Sequence, residues 1–487
     1  MKSPARLSHI LLSVLAVAGL LTACGPQSTL ISEADEAKIG AREHDKIVKS
    51  YGGIYDDIEL GGYVAGVTLR VAQASERPDL TYRVSVLDTP QINAFALPGG
   101  YTYVTRGLLA LANDEAELAA VMGHEIGHVT ARHGAQRHTT AVGTSVLAGV
   151  LGVVLQSDLA DLLVNIGANA TLASYSRTHE YEADELGVIT LHRAGYDAYA
   201  EADFLASMKA QADLERAEKG DDDGNIPAWL STHPNTADRV DRARKLADEY
   251  SGSGVAAKPS RNRNAYLQAI DGMLFGETAE QGFIRDRTFL HPVLRFKFTV
   301  PPDYQLINTP KAVLAKGPSG QVIKFDIAGK DSDQSLADYL RDVWADGVRV
   351  SDVKPLKGKV EMVSGVVRRG GKTSRLVVAA VPQKGKQKSV YRLVMQAATD
   401  DFAAADKGFL STAKSLTGLT KAQAGRLKPL RIKVETVGNG QDMVYFVKKM
   451  RGVKLPERTF RVLNNVPTGN RLEPGRRVKI VTDYVKF

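Results

Sequence analysis

Residues 114–133 read DEAELAAVMGHEIGHVTARH, and the chain is best read outward from this stretch. Asn113 or Asp114 can cap a helix, and Glu115 and Glu117 suit the positive end of its dipole. The spacing predicts a helix from about Asp114 to His133. Inside it, His124-Glu125-Ile126-Gly127-His128 has the pattern H-E-x-x-H. A helix turns by about 100° per residue, so His124 and His128 lie one turn apart on nearly one face, and their imidazoles can converge on one ion. Glu125 can then reach a water at that ion without binding the ion itself. This layout suits zinc-assisted hydrolysis, in which the metal acidifies a water and a carboxylate carries its proton. Gly123 and Gly127 leave room on the helix for another backbone or a substrate.

A catalytic zinc takes three protein ligands and keeps one position open, so a third ligand is expected downstream. Residues 176–184 read SRTHEYEAD. Glu180 and Asp184 stand four apart on a predicted helix; Glu180 is the candidate ligand and His179 its rival. With Glu180 on the metal, Asp184 lies one turn away and can hydrogen-bond a ligand histidine and fix its ring. Glu182 points elsewhere and reads as a surface charge. His133 and His138, five and ten residues beyond His128, fall on other helix faces and read as structural or surface, as do His44 and His192.

Further out, Ser32 to Lys49 reads as an amphipathic helix, and Thr81 to Val86 and Thr102 to Val104 as strands, with a turn at Gly99-Gly100. Arg106 to Ala112, Ser174 to Ala194 and Ala198 to Lys219 read as helices. Residues 141–172 are rich in Ala, Gly, Val and Leu but broken by Ser157, Asp158 and Asp161. The unbroken run is short of the ~20 residues a span needs, which favours a helical lid over the site to a membrane hairpin. Ser251 to Asn264 reads as a linker. Beyond it, Arg295 to Val300, Val322 to Ile327, Val360 to Val367, Ser374 to Val381 and Val390 to Ala397 alternate as strands around a helical Ser335 to Ala345. His291, the lone histidine there, reads as structural.

The chain has 487 residues, a net charge of +8, 44% hydrophobic and 24% charged residues. Those proportions exclude disorder and a multi-span membrane protein and predict several domains. Residues 421–487 carry a net +11 and the remainder about −3. A basic tail on a near-neutral body points to an anionic partner (nucleic acid, phospholipid headgroups or cell-wall polymer) or to a domain kept basic for solubility. Cys24 is the single cysteine, so no disulfide forms within the chain. Residues 1–24, MKSPARLSHILLSVLAVAGLLTAC, have a basic start, an apolar run from Ile10 to Leu21 and a small-residue end, the layout of a secretory signal. Leu21-Thr22-Ala23-Cys24 resembles a bacterial lipobox, which implies cleavage before Cys24 and lipid on its thiol. Gly25 in place of Asp implies, by resemblance to lipoprotein sorting rules, the outer membrane of a Gram-negative envelope.

H-E-x-x-H followed by S-R-x-x-E-x-E-A-D resembles the CAAX-prenyl-protease-like zinc metallopeptidases, most closely the periplasmic BepA-type branch. The resemblance covers roughly Ser32 to Asp248. It implies one zinc ion held by His124, His128 and Glu180, with Glu125 as general base and Asp184 beside a ligand histidine. Asn93-Ala94-Phe95-Ala96 resembles the family's edge strand, where a substrate backbone can pair by strand addition. Thr232-His233-Pro234 with Arg239 resembles its late motif, which implies His233 as a resting-state ligand and Arg239 at the oxyanion. The branch usually continues into a tetratricopeptide array, and that pattern is not found here. Arg431 to Val434, Phe460 to Asn464 and Leu472 to Ile480 resemble instead a divergent LysM-like glycan-binding module, although Asn439-Gly440-Gln441-Asp442 departs from its usual turn.

The expected architecture is therefore a signal at 1–24, a mainly α zincin-type domain with a small edge β-sheet at 25–250, an α+β domain at 265–420 and a LysM-like module at 424–487. The expected activity is hydrolysis of misfolded or misassembled envelope proteins at the periplasmic face of the outer membrane. The expected partners are the membrane through lipid on Cys24 and peptidoglycan through 424–487, with no nucleic acid. The competing expectation is a zinc-latched scaffold that binds cell wall without proteolysis.

Overall fold

The structure is a computed structural model that describes residues 32–137, 175–219, 233, 237–251, 259–328, 335–345, 347–382, 388–467 and 469–483. The lipobox and the expected lid at 141–172 lie outside the described residues.

The first part of the chain is built from helices α1 (Glu33–Ser50), α2 (Ile58–Gln73), α3 (Arg106–Leu111), α4 (Glu115–Thr130), α5 (Arg177–Arg193), α6 (Tyr199–Lys219), α7 (Ala237–Ser251) and α8 (Arg263–Ala269). Strands β1 (Arg83–Leu87), β2 (Ala94–Leu97) and β3 (Tyr101–Thr105) form a small sheet in the order β1-β3-β2, with β1 parallel and β2 antiparallel to β3. Alternation along β2 sorts its side chains. Phe95 and Leu97 pack with Ile47 and Tyr51 from the end of α1, while Ala94 and Ala96 join the main core. Gly99 and Gly100 turn β2 into β3 with φ of 82° and 83°, a region that favours glycine.

Helix α4 is buried on every side from Glu115 to Val129. Its Asp114 cap accepts the Glu117 N–H at 2.9 Å, and its run of Ala, Val, Met and Gly lets α2, α5 and α6 surround it, as expected of a helix apolar all round.

The predicted linker does not behave as one over its described part. Ser260 N–H bonds the Gly195 carbonyl, and Arg261 pairs with Asp114, Asp197 and Asp203 from three different elements. The chain then enters α8 and β4 (Leu274–Phe275), and β4 pairs with β5 (Leu430–Thr436), which pairs in turn with β6 (Arg477–Thr482). Between β5 and β6 lie α9 (Met443–Val447) and α10 (Pro456–Asn464). Ile432, Phe446, Phe460 and Ile480 of this segment share one hydrophobic core with Leu108, Leu118, Phe204 and Met208 of helices α3, α4 and α6. The terminal segment is thus no independent bead. Buried Lys479 donates to the carbonyls of Ala110, Leu111 and Ala112 at 2.8, 3.1 and 2.6 Å, capping α3 just ahead of α4. Burial lowers the pKa of this ammonium and raises that of Glu117 on α4. Arg106 ties the same corner from the other side, bonding Asp88 and the carbonyls of Leu274 and Gly276.

The α+β part is inserted between β4 and β5. Among the described residues it holds a seven-stranded antiparallel sheet running from Ser351–Pro355 at one edge to Gln305–Asn308 at the other. A four-stranded sheet and the helix Phe402–Ser415 close a separate core around Phe289, Phe296, Phe325, Tyr391 and Phe409. The predicted strands are all present there. His291 is buried, and its Nδ1 accepts the Leu294 N–H at 3.2 Å.

Two outcomes are expected. Lys479→Met strands three buried carbonyls and should cost about 3 kcal/mol, read as a lower urea midpoint of the full chain. Burial holds the His291 pKa down at about 4 against 6.5 unfolded, so the unfolded chain takes the proton first. Stability should be complete above pH 6.5 and fall by about 3 kcal/mol as pH drops through 6.5 toward 4. Urea midpoints for the wild type and His291→Asn across that window check it, the variant losing less.

Candidate metal centre

His124 and His128 project from one face of α4 with their Nε2 atoms 3.1 Å apart. Helix α5 brings the carboxylates, and close helix contact makes that reach possible. A Cβ on Gly127 would stand 3.0 Å from the Ala183 carbonyl oxygen, and one on Gly187 3.2 Å from the His124 nitrogen. Glycine at these crossings lets α4 and α5 touch backbone to backbone. Glu180 then places Oε1 3.5 Å from His128 Nε2 and Oε2 3.6 Å from His124 Nε2. His233 adds its Nδ1, 3.2 Å from His124 Nε2 and 3.1 Å from Glu180 Oε1.

These four donor atoms lie within 4.8 Å of one another, and all four residues are buried. Ligands ~2.0–2.1 Å from a tetrahedral zinc stand ~3.3 Å apart, so the separations fit a zinc ion. The protonation pattern fits too. His124 Nδ1 lies 2.9 Å from Asp184 Oδ1. A carboxylate only accepts, so Nδ1 carries the proton and Nε2 presents a bare lone pair to the cluster. Burial drives the His128 pKa well below its ordinary value, keeping that imidazole neutral. Burial alone would raise the Glu180 carboxyl, but His233, His128 and His124 outweigh it and hold the group far below the usual carboxylate range. His179 is outside the cluster, so α5 offers Glu180 and not its rival.

Glu125 is buried beside the donors, and its Oε1 makes no hydrogen bond among the described residues. Its nearest charged neighbour is His233 Nε2 at 3.5 Å. Arg239 of α7 does not sit as expected of an oxyanion donor. Its Nε and Nη2 fork onto Asp184 at 2.8 and 2.6 Å, and its Nη1 reaches Glu180 Oε2 at 2.8 Å. Burial raises the Asp184 carboxyl, but Arg239 outweighs it and keeps the anion that orients His124. Glu201 of α6 completes a second buried acid group with Asp184 and His124. Burial and the Asp184 charge push its pKa well up, so it is held protonated.

Tyr175 escaped the sequence reading, and His133 and Glu182 make contacts that it did not assign. His133 is fully buried and sets its Nδ1 2.9 Å from His128 Nδ1. Its Nε2 meets Glu182 Oε2 at 3.2 Å, so Glu182 is no idle surface charge. The helical extrapolation fails because α4 ends at Thr130 and Arg132 turns the chain at φ 58°. Tyr175 stacks on the His128 ring at 3.9 Å. His44, by contrast, bonds the Tyr103 hydroxyl and packs on the rings of Tyr101 and Tyr103, as a structural histidine does. At the edge strand, Asn93 bonds the Tyr51 hydroxyl, and Ala96 and Leu97 line a narrow cleft with His128 and Tyr175.

Residues 60–247 match the model of Peptidase family M48. The chain is 31% identical over 228 residues to a putative beta-barrel assembly-enhancing protease of Vibrio cholerae, covering 44% of this chain and 45% of that one. It is 29% identical over 205 residues to the beta-barrel assembly-enhancing protease of Escherichia coli, 40% of each. It is 33% identical over 189 residues to the mitochondrial metalloendopeptidase OMA1 of Schizosaccharomyces pombe, 38% of this chain and 53% of that one. The chain spans about half the length of the curated relatives it matches. The matched stretch holds the whole donor cluster, and these likenesses support a metalloendopeptidase.

If Arg239 orients ligands, Arg239→Lys, which keeps the charge and loses the fork, should weaken zinc binding about 10–100-fold in a chelator competition. Unchanged affinity with turnover alone lost would return Arg239 to the oxyanion.

Proposed function

We propose that the chain is a zinc-dependent endopeptidase of the cell envelope. The observation that carries this reading is the buried convergence of His124, His128, Glu180 and His233, with the buried Glu125 carboxylate beside them and its Oε1 free of hydrogen bonds among the described residues. In this reading His124, His128 and Glu180 hold the ion, and zinc, when bound, would acidify a water and polarise the scissile carbonyl. Glu125 takes the proton of the attacking water and returns it to the leaving amine. Asp184 fixes the His124 tautomer, and Arg239 holds Asp184 and Glu180 in place. An extended substrate lies along β2, whose edge position in the sheet suits strand addition. His233 fills the corner a substrate needs, so the described arrangement corresponds to a resting state.

The substrates in this reading are misfolded or misassembled envelope proteins, which offer extended backbone. Lipid on Cys24 would hold the enzyme at the periplasmic face of the outer membrane. The strand-helix-helix-strand order of 430–482 supports the LysM-like resemblance and, with it, a cell-wall contact. The buried His233 also favours a second reading, a zinc-latched scaffold without turnover.

The test uses residues 25–487. Glu125→Gln should keep one zinc per chain and lose casein cleavage about 10²–10⁴-fold. Equal cleavage by wild type and variant removes the peptidase reading. Should the wild type be silent, His233→Ala should release activity, and continued silence would favour the scaffold.

A further inference from the structure

Each histidine nitrogen in the donor cluster has a partner nitrogen on the far side of its ring, and the partner of His128 belongs to no expected motif. His124 Nδ1 meets Asp184, but His128 Nδ1 meets another imidazole, that of His133 at 2.9 Å. Two ring nitrogens at hydrogen-bond distance share a single proton, so one donates and the other accepts. The far end fixes which. His133 Nε2 faces Glu182 Oε2 at 3.2 Å, and a carboxylate accepts, so His133 Nε2 carries the proton. A neutral His133 is then bare at Nδ1 and accepts from His128 Nδ1–H. That leaves His128 Nε2 with its lone pair directed at Glu180 and His124. The opposite sense would put the proton on His128 Nε2 and bar it from any cation.

We propose that His133 is a positioning residue for His128, with Glu182 as the anchor that sets the direction of the chain His128–His133–Glu182. The inference deepens the metal reading and rests on it. Helix α5 then supplies the ligand Glu180 and both tautomer-setting carboxylates, Glu182 for His128 and Asp184 for His124. The ring of His133 is wedged as well as bonded, since His179 stacks on it at 4.2 Å and Tyr175 covers His128 at 3.9 Å. His133 is fully buried, whereas the Glu182 side chain is 48% exposed, so the chain runs from the donor cluster to the surface.

The experiment uses the 25–487 protein loaded with zinc and, separately, with cobalt. His133→Phe keeps the ring volume and removes both nitrogens. Its zinc affinity, by chelator competition, should fall about 10–100-fold, and its cobalt absorption envelope should shift. His133→Asn keeps an acceptor near the Nδ1 position and should hold zinc within about threefold of wild type, with the wild-type cobalt envelope, because the His128 partner survives. Glu182→Ala, at a half-exposed site that leaves the fold intact, should weaken zinc in the same direction by less. Combined with His133→Asn it should add nothing further, since the link is already cut. Wild-type zinc affinity and cobalt envelope in His133→Phe would overturn the proposal. So would an unaltered Glu182→Ala if His133→Phe does not fold. A wild type that takes up no zinc would overturn the metal reading beneath it and the positioning role together.

Discussion

Three imidazoles and a carboxylate converge on one point inside a buried core, and the helices around them are arranged to keep them there. The bare Nε2 atoms of His124 and His128, 3.1 Å apart, repel unless a cation lies between them. Water cannot screen them, because burial removes it. The cluster must therefore be held by force from outside, and that force is polar. Asp184, Arg239 and the His133–Glu182 pair grip the far sides of the donors. The steric condition for all of this is the glycine pair Gly127 and Gly187, where a side chain would press α5 away from α4 and Glu180 with it. A single helix crossing thus sets metal geometry, tautomer and charge at once.

The same constraint explains why the chain beyond 259 cannot be set aside as accessory. Helix α4 is buried from end to end, and its entry is fixed by Asp114, by Arg261 across it and by Lys479 capping α3 just before it. Each group comes from a different part of the chain. Loosening the corner at 110–114 would tilt the axis on which His124 and His128 stand. The inserted α+β part has its own aromatic core and is joined to this frame through β4 and β5.

What the sequence made legible was local. Caps, strand alternation and the i, i+4 pairs all depend on residues a turn apart, and helices at 33–50, 177–193 and 199–219 lie within three residues of expectation. What escaped it was set by chain direction or by distant partners. His133 was projected along a helix that had already ended, because nothing in Ala131-Arg132 announces a left-handed turn. The fork of Arg239 on Asp184 joins residues 55 apart in sequence. The shared core joins Leu108 to Ile480, and no periodicity carries that pairing.

Charge in the last module needs the same care. The net +11 of residues 421–487 suggests a surface made for an anionic polymer, yet some of that charge is internal to the fold. Lys479 is buried on the α3 carbonyls. Arg431 donates to the Gly272 carbonyl, Arg476 to that of Asn464 and Arg477 to that of Asn264. Lys433 and Lys449 both pair with Glu435. Those cations knit β5 and β6 to the segments beside them, and a cation so engaged offers less to a ligand. The positive charge that remains is carried by exposed side chains such as Lys448 and Lys454, near the exposed Val444 and Tyr445 of α9. A basic composition in this module therefore reflects two demands, attachment of the module to the helices α3 to α8 and display of charge, and only the second bears on partners.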